Sequence, residues 1–192
     1  MSMKRDECFH VLAEHVGTEI VVATYTSAFD WMAIRPSPLN YVAIGAMGLA
    51  SSHALGIALG RPDRKVCVLD GDGSLLMNLG SLVTIAEAAP ANLVHFVSVN
   101  GTYEANGGHP IPGKDRVDFA QLARAAGYRA TFSFHLLPDF RAGLSEVIGS
   151  AGPVFVALHV VPGKSSPQNY AYIHGAQARE AFRAALQALR PG

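Results

Sequence analysis

The sequence predicts an α/β protein, a three-layer α/β/α sandwich with a mainly parallel sheet. Apolar runs typical of buried strands alternate along the chain with helical patterns. The clearest unit is an apolar run at Lys65–Asp70, a helical pattern at Leu75–Ala89 and a second apolar run at Asn92–Val99. Such a crossover makes its two strands parallel. A further run, Val154–Val161, is almost wholly apolar, as a central parallel strand is.

The chain opens with a helix, a strand and a short helix. Arg5–Val16 places its apolar residues on one stripe, which predicts an amphipathic helix. The apolar run at Glu19–Thr24 predicts the first strand. Ser27 is then the candidate N-cap of a short helix that runs through Met32, and two prolines end it.

A second strand and a glycine-containing turn come next. Tyr41–Ile44 predicts a short strand, and Gly45–Gly48 predicts a tight turn into a helix of small residues that ends at about Leu59. The stretch from Ser37 to Gly60 contains no Asp, Glu, Lys or Arg, so a membrane span is the alternative. Its polar residues and glycines favour a buried helix instead.

The second half of the chain continues the alternation. Glycines and prolines in Gly101–Gly113 predict an irregular loop at the carboxyl edge of the sheet, where binding loops belong. The remaining predicted elements are a helix at Asp118–Ala126, a strand at Tyr128–Phe134, a helix at Pro138–Ile148, a linker at Pro162–Gln168 and a closing helix at Ala176–Leu189.

The composition narrows the class of protein. Lys plus Arg number 15 and Asp plus Glu also number 15, so no basic surface favours nucleic acid or an anionic membrane as a partner. The two cysteines lack metal-ligand spacing, which fits a reducing compartment, and the N-terminus lacks an apolar signal core. We therefore expect a cytoplasmic protein without a membrane segment, and one domain over residues 1–192.

Two polar residues follow neighbouring predicted strands. Asp72 comes after the strand at Lys65–Asp70, and Asn100 comes after the strand at Asn92–Val99. Because parallel neighbours end at the same edge of a sheet, we expect the two side chains to lie close together. A carboxylate and an amide oxygen are ligands that suit Mg²⁺ beside phosphate oxygens. The alternative is that Asp72 only caps a helix and Asn100 only forms a turn.

These residues resemble a known motif. Gly71-Asp72-Gly73-Ser74 followed by Asn100 resembles the metal- and diphosphate-binding motif of thiamine diphosphate-dependent enzymes. Gly45-Ala46-Met47-Gly48 is similar to the turn that holds the aminopyrimidine ring in those enzymes. The resemblance extends over Lys4 to Leu189 and is strongest to the diphosphate-binding halves of sulfopyruvate and phosphonopyruvate decarboxylases. It implies the thiamine diphosphate-binding fold of the diphosphate-binding, C-terminal type.

The resemblance also implies a ligand set for thiamine diphosphate and Mg²⁺. The metal ligands would be Asp72, the amide oxygen of Asn100 and the main-chain carbonyl of Thr102. The implied cofactor-binding residues are Thr26, Ser27, Gly45, Met47, Gly71, Gly73, Ser74 and Gly101.

Each implied contact has a physical reason. Gly73 and Ser74 would direct backbone N–H groups at a phosphate. The carbonyl of Gly45 would accept a hydrogen bond from the exocyclic amine of the cofactor, and Met47 would support the bend between its two rings. Core packing for Met47, and helix capping for Thr26 and Ser27, are the alternatives.

The resemblance implies an incomplete active site in this chain. A glutamate that activates the aminopyrimidine belongs, in such enzymes, to a separate pyrimidine-binding domain, and no glutamate here lies in a segment similar to that domain. We therefore expect a hetero-oligomer with a pyrimidine-binding, alpha-type subunit that supplies this glutamate. The expected substrate is a small 2-oxo acid, sulfopyruvate or phosphonopyruvate, and the expected reaction is decarboxylation.

Other interpretations stay open at this point. His109, in the glycine-rich loop, is a candidate catalytic proton donor or anion contact, and a solvated loop histidine is the alternative. The same cofactor could support carboligation, and a non-catalytic subunit could keep the fold. Transfer of electrons to an iron–sulfur centre is disfavoured, because the chain has no cysteine cluster.

Overall fold

The fold is known from a computed structural model that describes residues 2–164 and 166–189. The predicted linker Pro162–Gln168 includes residue 165, which lies outside the described residues. The strands, in chain order, are β1 (Ile20–Ala23), β2 (Asn40–Tyr41), β3 (Val66–Gly71), β4 (Leu93–Val99), β5 (Thr102–Tyr103), β6 (His109–Pro110), β7 (Ala130–Phe134) and β8 (Val154–His159). The helices are α1 (Arg5–Ala13), α2 (Tyr25–Ile34), α3 (Ala50–Gly60), α4 (Asp72–Leu76), α5 (Ser81–Ala88), α6 (Phe119–Ala126), α7 (Leu137–Gly149), α8 (Tyr170–His174) and α9 (Ala176–Ala188), and a 3-10 turn lies at Glu104–Asn106.

The main sheet is parallel throughout the described residues, in the order β2-β1-β3-β4-β8-β7. The register pairs Asp70 of β3 with Val97 of β4, and Gly71 with Ser98. The carboxyl ends of these two strands therefore lie side by side. The polar residues that follow them meet at one edge, as the crossover pattern predicts.

Helices cover both faces of the sheet. Alternate residues along β1 and β3 point to opposite sides, so Val21 and Ala23 pack in one cluster while Ile20 and Val22 pack in the other. The first cluster includes Phe9, Phe29, Trp31, Phe140 and Leu144 from α1, α2 and α7. The second includes Ala54, Ala58, Leu82, Ile85, Phe119 and Phe182 from α3, α5, α6 and α9. The predicted three-layer α/β/α sandwich is confirmed.

The predicted start of the second helix is wrong. Ser27 is not an N-cap but a buried residue in the first turn of α2, because the chain turns directly out of β1 and Thr24 takes the N-cap position. The predicted strand at Tyr41–Ile44 is likewise shorter, since only Asn40 and Tyr41 pair with β1. Within the described part of the chain, no helix is long and apolar enough to span a membrane.

The predicted helix at Leu75–Ala89 is two helices. Between α4 and α5 the chain makes tight turns, in which the N–H of Met77 donates to Ser74 and that of Asn78 to Leu75. The side-chain amide of Asn78 donates to the carbonyl of Gly48 at 3.0 Å, which ties this break to the predicted Gly45–Gly48 turn. The predicted loop at Gly101–Gly113 contains the short antiparallel pair β5–β6, and α8 is a helix that the sequence pattern does not predict.

Candidate functional site

A cavity opens at the carboxyl ends of β1, β3 and β4. Its walls come from the start of α2, the turn before α3, the start of α4 and the segment after β4. Of the residues predicted for the site, those that line the cavity are Thr26, Ser27, Met47, Gly71, Asp72, Gly73, Ser74, Asn100 and Thr102. Gly45, Gly101 and His109 are not among the lining residues.

Asp72 is the central acceptor of the site. Its side chain is buried, with 1% exposed. Oδ1 accepts the N–H of Gly73 at 2.7 Å, and Oδ2 accepts the N–H groups of Asn100 at 2.9 Å and Gly101 at 2.7 Å. The carboxylate thus joins the end of β3 to the end of β4, and the residues that the spacing predicts to be neighbours are brought together.

The pKa of Asp72 is raised to about 6. Burial is the main cause, because it penalises the charged form, and the negative charge of Glu104 adds to the effect. The three backbone N–H groups act in the opposite direction, since they stabilise the carboxylate. A positive charge placed beside Asp72 would relieve this penalty.

Asn100 shapes the turn after β4. Its Oδ1 accepts the backbone N–H of Thr102 at 2.8 Å and the Thr102 hydroxyl at 3.1 Å. This is the turn-forming arrangement that the sequence offers as the alternative to metal binding. It also places an amide oxygen on the same loop whose N–H groups bind Asp72.

The donor chemistry of this edge fits a hard divalent cation. A carboxylate oxygen that accepts one N–H retains a further lone pair, so Asp72 keeps capacity for a metal. Among residues 2–164 and 166–189, no three His, Cys, Asp or Glu side chains cluster as metal ligands. A cation at Asp72 would therefore complete its shell with amide, main-chain, water or phosphate oxygens, which is the way proteins hold Mg²⁺.

The start of α2 forms the opposite wall of the cavity. Thr24 lines the cavity, and its hydroxyl is buried and has no hydrogen-bond partner among the described residues. A buried unsatisfied hydroxyl costs free energy, and an acceptor oxygen from a ligand would satisfy it. Sequence reasoning missed Thr24, although its position directly between a strand and a helix at this edge was a usable signal. Thr26 and Ser27 follow it in the first helical turn.

The Gly45–Gly48 turn is fixed against α4. The N–H of Gly48 donates to the hydroxyl oxygen of Ser74 at 2.9 Å, and Gly48 has a φ of +83°, which favours glycine. Met47 is half-buried and lines the cavity. The carbonyl of Gly45 accepts the hydroxyl of Tyr25 at 3.4 Å, so this carbonyl points towards α2.

Gly73 is required by close packing. A Cβ at this position would lie 2.5 Å from Cδ1 of Tyr103, which is far inside van der Waals contact. The N–H of Gly73 donates to Asp72. In this arrangement Gly73 lets the Tyr103 ring cover α4, while its predicted phosphate contact stays a prediction.

His109 lies apart from the cavity. It is exposed on β6, where it pairs with Tyr103 of β5. The sequence did not indicate two other lining residues, Arg5 and Glu104, which come from α1 and from the 3-10 turn. Glu104 is close to Asn100 in the chain, but Arg5 is remote in sequence, and only the tertiary structure brings the two together.

The sequence matches a family of known proteins. Residues 21–158 match the family described as thiamine pyrophosphate enzyme, C-terminal TPP binding domain. The chain is 36% identical over 165 residues to phosphonopyruvate decarboxylase of Streptomyces viridochromogenes, an alignment that covers 86% of this chain and 41% of that protein. It is 34% identical over 166 residues to sulfopyruvate decarboxylase subunit beta of Methanothermobacter thermautotrophicus, with 86% of each covered.

Solved structures share the fold. Benzoylformate decarboxylase from Polynucleobacter necessarius superposes with a TM-score of 0.72 at 20% identity, over 87% of this chain and 35% of that one. A solved protein from Mycobacterium smegmatis gives a TM-score of 0.73 at 24% identity, over 84% of this chain and 32% of that one. The chain thus spans about two fifths of the phosphonopyruvate decarboxylase and about a third of these solved chains, but most of the sulfopyruvate decarboxylase beta subunit.

Proposed function

This chain belongs to the thiamine pyrophosphate enzyme family, in which it matches the C-terminal cofactor-binding domain, and from that membership we propose a specific role. The chain is the diphosphate-binding subunit of a thiamine diphosphate- and Mg²⁺-dependent 2-oxo acid decarboxylase. Its substrate is sulfopyruvate or phosphonopyruvate. Residues 1–192 act as one domain in this role.

The buried carboxylate of Asp72 is the observation that carries the proposal. Asp72 is 1% exposed and lines the cavity, and a cation beside it would offset the cost of burying its charge. Since no three His, Cys, Asp or Glu side chains cluster in the described part of the chain, the other ligands of such a cation would be amide, main-chain, water or phosphate oxygens. We assign Asp72, Asn100 and the carbonyl of Thr102 to Mg²⁺. Thr26, Ser27, Gly73 and Ser74, joined by Thr24, are assigned to the diphosphate.

The bound cofactor supplies a thiazolium ring that accepts the electron pair left when CO₂ departs from a 2-oxo acid. The residues of this chain hold and orient that cofactor. Asp72 fixes the turn after β4 through the N–H groups of Asn100 and Gly101. In this role the Met47 side chain and the carbonyl of Gly45 would contact the cofactor rings, from a turn that is held by Ser74 and Asn78. The carbonyl would exchange its hydrogen bond from Tyr25 for one from the cofactor.

A partner subunit completes the site in this proposal. The cavity has a volume of about 40 Å³. Pockets that enclose a small-molecule cofactor commonly have volumes of roughly 300–1,000 Å³. Relatives that this chain covers over most of their length are named as beta subunits. A pyrimidine-binding, alpha-type subunit would supply both the remaining wall and the glutamate that the aminopyrimidine needs.

The experiment is to isolate the assembly gently from its source and analyse it by native mass spectrometry. We expect a second chain together with thiamine diphosphate and Mg²⁺. The purified assembly should release CO₂ from sulfopyruvate or phosphonopyruvate, and the 192-residue chain alone should not. A homo-oligomer that binds neither cofactor nor metal when both are added would contradict the proposal.

A second candidate reaction is carboligation. The chain is 31% identical over 173 residues to the large subunit of acetolactate synthase isozyme 1 of Escherichia coli, and it covers 30% of that protein. Product analysis of the same assembly separates the two reactions. An aldehyde product indicates decarboxylation alone, whereas a 2-hydroxy ketone or 2-hydroxy-2-alkyl acid indicates carboligation.

A further inference from the structure

Arg5 is a buried cation beside the candidate site. Its side chain has 6% of its surface exposed and lines the same cavity as Asp72. Nε donates to Oδ2 of Asp30 at 2.7 Å, and Nη1 donates to Oε2 of Glu104. One guanidinium from α1 therefore connects α2 to the 3-10 turn at Glu104–Asn106, which comes just after the candidate metal ligands Asn100 and Thr102.

The two carboxylates extend this connection. Oδ1 of Asp30 accepts the N–H of Ser166 at 2.6 Å, and Oε1 of Glu104 accepts the N–H of Gly163 at 3.1 Å. Both acids are themselves buried or nearly so, with 3% and 11% of their side chains exposed. Each carboxylate is therefore held by two contacts, one with Arg5 and one with a backbone N–H group.

Glu104 stands close to the candidate metal ligands in the chain. It follows Thr102 by two residues and Asn100 by four, and its charge reaches Asp72. The segment from Asn100 to Glu104 is thus held at both ends. Asp72 binds the N–H groups of Asn100 and Gly101 at one end, and Arg5 binds the Glu104 carboxylate at the other.

Stability alone is a poor reason for this cluster. A buried ion pair seldom stabilises a fold more than well-packed apolar side chains of the same size would, because desolvation offsets the attraction. What the cluster does provide is a defined geometry, since the guanidinium fork fixes the directions of both carboxylates.

We propose that Arg5 is a positioning residue for the metal loop, residues 100–104, and that it acts through Glu104. It holds the loop so that Asn100 and Thr102 stay beside Asp72 before a cation arrives, and the cation would replace one of the two Thr102 hydrogen bonds at Oδ1 of Asn100. The proposal rests on the proposed function for the identity of the cation. The tether itself depends only on the contacts of Arg5 and Glu104.

The first measurement is hydrogen–deuterium exchange on the ligand-free full chain. Glu104→Ala removes the tether but leaves the pair between Arg5 and Asp30, so the fold should be retained. We expect the amides of residues 100–104 to exchange at least tenfold faster, while those of β3 and β8 stay unchanged. Unchanged exchange in residues 100–104 overturns the tether.

Two further variants separate positioning from general stability. Arg5→Met should increase exchange in the same loop, and Arg141→Met should not, although Arg141 also forms an ion pair, with the exposed Glu14 directly after α1. Glu104→Gln keeps an acceptor oxygen for Arg5, so most of the lost protection should return. Equal effects of Arg5→Met and Arg141→Met, or of the Gln and Ala variants, contradict the proposal.

The second measurement is Mn²⁺ binding in the presence of thiamine diphosphate, with Mn²⁺ as a spectroscopic substitute for Mg²⁺. We expect Glu104→Ala to weaken Mn²⁺ binding about tenfold or more with little change in Tm. Wild-type affinity in Glu104→Ala overturns the positioning role while the proposed function stands. Failure of the wild-type chain to bind Mn²⁺, both alone and in its native assembly, overturns the proposed function instead, and the exchange result still decides the tether.

Discussion

Asp72 shows how one side chain can serve both the fold and a cofactor site. Its three backbone hydrogen bonds hold the loop after β4 next to the start of α4. Its burial makes the charge costly unless a cation is present. The same atoms therefore shape the loop and attract the metal, which makes this residue the most informative one to change.

Asp72→Ala should abolish Mg²⁺-dependent binding of thiamine diphosphate, because the only charged ligand assigned to the metal is lost. Isothermal titration on the full chain or its native assembly measures this, with far-ultraviolet circular dichroism as the check on folding. Asp63→Ala is the matched control, since Asp63 is an aspartate partly exposed at the surface that pairs with Arg61 and Arg64. Binding that survives in Asp72→Ala would remove Asp72 from the ligand set.

The affinity for Mg²⁺ should fall in acid. The pKa of Asp72 is raised to about 6 by burial, and only the ionised carboxylate binds a cation. Below about pH 6 the proton competes with the metal, so the affinity should drop by up to about tenfold per pH unit. Titrations between pH 5 and 8 test this, corrected for metal binding by free thiamine diphosphate at each pH. A flat corrected profile would contradict the role of Asp72.

At the scale of elements, the sequence predicts the strands of the sheet well, but it predicts the helix boundaries and the connecting turns less well. The apolar runs of β3, β4 and β8 were recognisable because both faces of a central parallel strand are buried. The break between α4 and α5 was missed, because Asn78 leaves the helix to bind Gly48, a contact between distant parts of the chain. The start of α2 was missed because Thr24 caps it without a side-chain hydrogen bond.

The residues of the candidate site also differ in how well the sequence predicts them. Asp72 and Asn100 were predictable as neighbours, since strand order places them at one edge. Arg5 and Glu104 were not, because their contact spans 99 positions of sequence and follows no local pattern. Thr24 lay between these cases, with its place visible in the sequence and its unpaired hydroxyl visible only in the structure.

The first turn of α6 offers a test of one element by itself. Oδ1 of Asp118 accepts the N–H of Gln121 at 3.0 Å, so Asp118 is the N-cap of α6 rather than the first helical residue that the sequence pattern predicts. Asp118→Ala should lower the free energy of unfolding by about 1 kcal/mol, as measured by urea denaturation. Asp118→Asn should lose much less, because its amide oxygen can accept the same bond. Equal losses would show that the cap bond is not the cause.

At the scale of the whole molecule, the site joins parts that are remote in sequence. Loops after β1, β3 and β4 and the helix α1 all reach the cavity. A ligand that contacts several of them binds only the folded chain, and such a ligand stabilises the whole fold. The effect of the cofactor on stability therefore reports on the assembly of the entire site.

Thiamine diphosphate and Mg²⁺ together should raise the Tm, and neither should do so alone at the same concentration. At about 100 times the dissociation constant the gain is about 2.7 kcal/mol, or about 5–10 °C for a chain of this size. Differential scanning calorimetry measures this, and Asp72→Ala serves as the unresponsive control. An equal rise with thiamine diphosphate alone would show that binding does not depend on the metal.

The position of β8 between β4 and β7 has a consequence for how the chain folds while it is being synthesised. β4 and β7 are complete long before residues 154–159, the strand that joins them, have been made. Until then the nascent chain carries two apolar strands with unpaired edges, the kind of surface that aggregates. The interval between the end of β7 and the completion of β8, in which residues 135–159 are made, is therefore the one in which a chaperone has most to protect. A chain truncated before Val154 would carry that hazard permanently.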